Sequence, residues 1–221
     1  MRIWNGERDS VKLILEQVGK KIKGKQILEN ISLQMEGGKI YGICGRNGSG
    51  KTMLFRAISG LIKIDYGTIR MNDKILHQDM EILPSLGIVL EQGGFYPELT
   101  GKENLKYLSG FKNIIKEEQI EKSLERVGLD PRDRRSYGKY SLGMKQRLAI
   151  AQAIMEKPEV ILLDEPTNGL DDEGVELIRN LIQEEKERGA LIMIASHNKE
   201  DIQLLCDCVY RISSGKIVDR E

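Results

Sequence analysis

The chain has 221 residues, enough for one compact domain carrying a smaller lobe and too few for two large ones. Lys plus Arg and Asp plus Glu both number 34, so the formal net charge is zero and there is no basic field to make nucleic acid a main partner. Three cysteines, lacking the paired spacing of a zinc site, fit a reducing cytosolic compartment, and the apolar runs fall far short of the ~20 residues a membrane helix needs.

Residues 1–10 carry charge without an apolar segment and read as a loose arm, not a secretory signal. Val11 to Val18 and Ile27 to Met35, rich in branched residues and separated by the polar stretch Gly19 to Lys25, predict two antiparallel strands. Lys39 to Cys44 is apolar enough for a buried strand, and it runs directly into Gly45-Arg46-Asn47-Gly48-Ser49-Gly50-Lys51-Thr52. In that G-x-x-x-x-G-K-T spacing the glycines let consecutive backbone N–H groups converge on one anion, and a triphosphate fits. Met53 to Ser59 continues as a helix whose positive end points at the phosphates. Gly67 to Asn72 adds a third β-rich stretch, giving a small antiparallel layer beside the loop, and Gly87 to Leu90 reads as another strand.

From Thr100 the pattern turns helical. Thr100-x-x-Glu103 is a capping box opening a helix through Leu108, and Ile120, Leu124 and Val127 stand at helical spacing before Gly128. Ser141 to Lys157 carries an apolar stripe that Pro158 ends. Strand 160–163, a helix from about Gly174 to Arg188, strand 190–195 and helix 199–205 follow as βα units, and Tyr210 to Ile212 with Ile217 to Asp219 close the chain as a hairpin. The expected fold is α/β, a mostly parallel sheet with a small N-terminal antiparallel layer. One domain spans 1–221, with a helical lobe inserted over about 92–157.

Two places carry chemistry. Lys51 would set its charge against the β- and γ-phosphate oxygens, and the Thr52 hydroxyl is free to take one position around Mg²⁺. Strand Val160-Ile161-Leu162-Leu163 ends in Asp164-Glu165, adjacent carboxylates that are costly there unless a cation or a reaction uses them. Asp164 is placed to hold Mg²⁺ through water, and Glu165 to orient the attacking water and accept its proton.

With these residues in place the chain resembles the ATP-binding-cassette (ABC) ATPases, P-loop NTPases that serve as nucleotide-binding subunits of membrane transporters. The resemblance runs from Val11 to Val218, and its most diagnostic part is Tyr140-Ser141-Leu142-Gly143-Met144-Lys145-Gln146-Arg147, which stands where the family has its signature loop. It implies that Ser141 and Gly143, at the start of a helix, meet the γ-phosphate held by a second ABC subunit, in a homodimer or a heterodimer. Leu142 and Met144 depart from the family's Gly and Gln. Asn168 to Asp171 matches the turn that crosses the subunit interface, and His197 matches the histidine that touches the γ-phosphate. The family's Mg²⁺-binding Gln falls on Glu91 by register, with Gln92 beside it as the chemical match. Ile22 stands where an aromatic normally stacks on adenine. Phe95, Tyr96, Leu99 and Tyr107 are candidate contacts of a permease or members of the lobe's own core.

Glu91, Phe95-Tyr96-Pro97 and the signature loop together resemble the subgroup of bacitracin-resistance and lantibiotic-immunity exporters. The implied function is an ATP-hydrolysing subunit, with ATP and Mg²⁺ as ligands. It would dimerise head to tail and power a separate multi-span permease from the cytoplasmic face of the membrane. Lys51, Glu165 and His197 would be its catalytic residues, and Gly45 to Met53 with Ser141 and Gly143 its nucleotide contacts. A soluble ATPase of ribosome or DNA maintenance, and an ATP-gated clamp that does not turn over, stay open as alternatives.

Overall fold

A computed structural model describes residues 10–90 and 94–220. The loose arm expected over residues 1–10 therefore lies almost wholly outside the described residues.

The N-terminal layer is an antiparallel sheet of β1 (Lys12–Ile22), β2 (Lys25–Glu36), β4 (Tyr66–Met71) and β5 (Lys74–Ile75) in the order β2-β1-β4-β5. Its first hairpin is tighter than the composition suggests. Both strands run on through the polar stretch to a two-residue turn at Lys23-Gly24, where both φ angles are positive (48° and 79°). Asp65 holds this extension, accepting from Lys20 Nζ at 2.8 Å and from the Lys21 N–H at 2.6 Å.

The central sheet contains β3 (Lys39–Cys44), β6 (Leu86–Val89), β7 (Val160–Asp164), β8 (Leu191–Ala195), β9 (Cys208–Ser213) and β10 (Lys216–Arg220) in the order β10-β9-β3-β8-β7-β6. All pairs are parallel except the β9–β10 hairpin. Both faces are covered, as parallel strands require. Val160 and Leu162 of β7 face one apolar cluster with Leu191 and Met193 of β8 and with Leu54, Phe55 and Ile58 of α1 (Lys51–Ser59). Ile161 and Leu163 turn the other way, into a cluster with Ile192 and Ile194 and with residues of five other elements. Those are Leu105 of α2 (Gly101–Ser109), Ile120 and Leu124 of α3 (Glu117–Arg126), Leu148 of α4 (Leu142–Ile154), Ile178 of α5 (Asp172–Glu187), and Leu205 of α6 (Lys199–Leu205).

The capping box opens α2 as the sequence predicts: the Thr100 hydroxyl accepts from the Glu103 N–H at 3.2 Å, and Glu103 accepts from the Thr100 N–H at 2.8 Å. Helix α4 ends three residues earlier than its apolar stripe suggests. Lys157, just before Pro158, takes a left-handed φ of 51°, and the Pro158 ring keeps that residue out of the right-handed helical conformation.

Candidate functional site

Strand β3 delivers Gly45 to the carboxyl edge of the sheet, and α1 begins six residues later. Gly50 makes the junction at φ 114°, a conformation that a side chain would strain, and in doing so it turns the first N–H groups of α1 toward one point. Lys51 is 7% exposed, and its ammonium folds back to donate to Gly45 O at 2.9 Å. A cation held by its own loop's carbonyls at a helix N-terminus, where the first N–H groups have no intrahelical partner, suits an anion.

Two clefts flank this loop. One, of about 550 Å³, is lined by Asn47, Gly48, Gly50, Lys51, Thr52 and Met53, and across from them by Asp164, Glu165 and Gln146. The Thr52 hydroxyl donates to Asp164 Oδ2 at 2.5 Å, so two hard oxygen donors from different elements already meet. The other, of about 680 Å³, is lined by Gly45 to Ser49 and by Ser196 and His197. Ser141 and Gly143 line neither. Ser141 caps α4 by accepting from the Met144 N–H at 3.2 Å, and the space beside Gly143 is filled by the Gly169 carbonyl, 3.0 Å from where a Cβ would stand. Glu91 and Gln92 lie outside the described residues. Ile22 ends β1 at 40% exposed, while Ile27 supplies an aliphatic wall of the first cleft.

Parallel pairing of β7 with β8 sets Asp164 opposite Ala195, which brings Glu165 beside Ser196 and His197. Glu165 Oε2 stands 2.8 Å from His197 Nδ1 and accepts from Ser196 Oγ at 3.3 Å, and Oε1 accepts from the His197 N–H at 3.2 Å. The backbone of Glu165 is left-handed, φ 52°, rare for a residue with a side chain and held from two sides. Its N–H donates to Ala195 O at 2.8 Å, and the buried Gln146 side chain donates to the carbonyls of Glu165 and Pro166, both at 3.1 Å.

Several of these groups escape a reading of the sequence. Gln146 is a polar residue within an otherwise apolar helical stripe, a signal that could have singled it out. Arg147 of α4 donates to Asp171 Oδ1 at 3.1 Å, whereas the cap that Asp171 places on α5 by accepting from the Gly174 N–H is the one its position before that helix leads one to expect. Arg179 and Asp201 occupy inward positions on α5 and α6, and nothing in their local sequence marks them as a pair. Burial alone would lower the Arg179 pKa, but its bonds to Asp201, Glu200 and Glu176 outweigh burial and hold the guanidinium above its ordinary range.

Residues 28–168 match the family model described as ABC transporter. The chain belongs to the ABC transporter family. This ABC ATP-binding protein is 47% identical over 202 residues to the uncharacterized ABC transporter ATP-binding protein YybJ of Bacillus subtilis, covering 91% of this chain and 93% of YybJ. It is 42% identical to the bacitracin transport ATP-binding protein BcrA of Bacillus licheniformis, over 87% of this chain and 63% of BcrA. The fold is that of the dimeric bacterial ABC cassette MJ0796, with a TM-score of 0.85 at 24% identity, over 95% of this chain and 97% of that one. Membership makes the chain an ATP-binding ATPase subunit, and the sequence's resemblance to the bacitracin side of the family stands. Among the described residues no helix is long and apolar enough to cross a membrane.

Proposed function

We propose that this ABC ATP-binding protein pairs head to tail with a second ABC subunit, encloses two ATP molecules at the interface, and drives a separate multi-span permease, acting at the cytoplasmic face of the membrane. Similarity to BcrA, a bacitracin transport ATP-binding protein, supports a role in transport, and the resemblance to the exporter subgroup makes export the proposed direction. The observation that carries the reading is the Glu165–His197 contact at the carboxyl ends of β7 and β8, beside the phosphate loop.

The backbone N–H groups of Gly45 to Met53 would bind the triphosphate, and Lys51 would exchange its hold on Gly45 O for the β- and γ-phosphate oxygens. Water attacks the γ-phosphorus, the bond to the β-phosphate bridging oxygen breaks, and the water's proton passes to Glu165. His197 has two ring nitrogens with distinct tasks. Nδ1 faces Glu165 and Nε2 is left to contact the γ-phosphate. Thr52 and Asp164 already pair their oxygens and suit Mg²⁺, with Glu91 or Gln92 as a further oxygen donor. When bound, Mg²⁺ neutralises charge on the β- and γ-phosphate oxygens. In the dimer Ser141 and Gly143 of the second subunit would donate to the same γ-phosphate, so its loss removes charge-assisted bonds from both sides and reopens the pair.

Glu165→Gln keeps the shape of the site and removes the proton acceptor. Steady phosphate release is expected to fall by about 100-fold or more while the chain still dimerises with ATP on a sizing column. Hydrolysis at the parent rate would remove Glu165 from the base role. A strictly monomeric ATP-loaded variant would remove the interface from the mechanism.

A further inference from the structure

A charged cluster lies away from both clefts. Asp201 of α6 is fully buried, and a lone carboxylate there would be prohibitively costly. It is satisfied instead by three donors. Arg179 of α5 donates to Oδ1 from Nε at 2.9 Å and from Nη2 at 2.7 Å, and the Thr167 hydroxyl donates to Oδ2 at 2.5 Å. Arg179 is itself surrounded, reaching Glu176 at 2.8 Å and Glu200 at 3.0 Å.

The Arg179–Asp201 pair alone suffices to staple α5 to α6. Thr167 is not needed for that, and its bond runs elsewhere. Thr167 stands two residues after Glu165, in the loop that leaves β7, and Asp201 lies in the helix that begins two residues after His197. The two segments that carry the facing pair are therefore fastened at the strand ends, through the contacts of Glu165 with Ala195, Ser196 and His197, and again further along the chain through this buried bond. The buried bond adds a further hold near the left-handed backbone of Glu165, which Ala195 and Gln146 already hold, and an unfavourable conformation persists only where its surroundings over-determine it.

We infer that Thr167 and Asp201 are positioning residues for ATP hydrolysis: the buried Thr167–Asp201 hydrogen bond holds the loop of Glu165 against the helix of His197 and fixes the two side chains relative to each other. Neither residue lines either cleft. The inference rests on the proposed roles of Glu165 and His197, and it adds a tie that acts on turnover more than on binding.

Thr167→Val keeps the shape of the side chain, removes the donor and leaves Arg179 on Asp201, while Thr167→Ser restores the donor. The expected result for the Val variant is a kcat for ATP about 10- to 30-fold below the parent with KM within about threefold, and for the Ser variant a kcat within about threefold of the parent. Binding of a non-hydrolysable ATP analogue with parental affinity shows that the Val chain is folded. If it is not, Thr167→Ala gives the same reading, since it removes the donor without crowding the site. The inference is overturned if the donor-less variant keeps a kcat within twofold of the parent, if Ser and Val lose equally, or if the loss lies in KM alone. Glu165→Gln assayed in parallel separates the two levels. Undiminished hydrolysis there sinks the base assignment, whereas a dead Glu165→Gln beside a fully active Thr167→Val sinks only the tie.

Discussion

At Lys51 the chemistry is set by a cation enclosed within its own loop. Its ammonium donates to Gly45 O, which braces the loop, and it carries the charge that a phosphate oxygen would meet. Lys51→Ala removes both functions. A charge-assisted bond of about 1.5–3 kcal/mol converts to ATP affinity lower by about 10- to 100-fold, measurable by titration calorimetry. The spacing of the loop made this residue legible, because every partner it uses lies within six positions along the chain. Glu165 and His197 were legible as separate strand-end residues, yet their contact was not, since it depends on the register between β7 and β8. Thr167, Arg179 and Asp201 left no trace at all: each is an ordinary residue until three elements converge on it.

Among the elements, strands covered on both faces read most clearly, because their apolar runs have no polar face to confuse the pattern. The hairpin between β1 and β2 was harder. Lys20 and Lys21 resemble a loop, and a side chain from a distant position, Asp65, keeps them in the sheet. Contact between β6 and α4 offers a test of packing at this scale. A Cβ on Gly87 would stand 1.9 Å from the carbonyl oxygen of Ala153, so main chain meets main chain there and neither can rotate away. Gly87→Ala is expected to destabilise by about 1–3 kcal/mol or more, since overpacking forces backbone to shift. At about 2–4 °C per kcal/mol for a chain of this size, the melting temperature falls by several degrees in a calorimetric scan.

At the level of the whole molecule, the central sheet separates two apolar clusters, and its strands β7 and β8 contribute alternate residues to both. Loss of either cluster strips one face of the same strands. This supports the proposal of one domain over 1–221 with a helical subdomain at about 92–157, and thermal unfolding is expected as a single transition with matching calorimetric and van't Hoff enthalpies. Two separated transitions would assign the lobe its own stability. Added ATP at about 100 times its dissociation constant should raise stability by about 2.7 kcal/mol and move that single transition as a whole.

Helices α2 and α3 each have an outer and an inner side, and the two carry different obligations. Tyr107 and Phe111, 49% and 75% exposed, stack edge to face on the outside, while Leu105, Ile120 and Leu124 lie in the cluster that also holds Leu163, the neighbour of Asp164. Under the proposal that a permease docks on this outer side, a change of permease can rewrite the outward residues freely. Changes on the inward side are felt one residue from the carboxylates, so under that proposal the fit to a permease and the rate of hydrolysis can evolve on opposite flanks of the same helices.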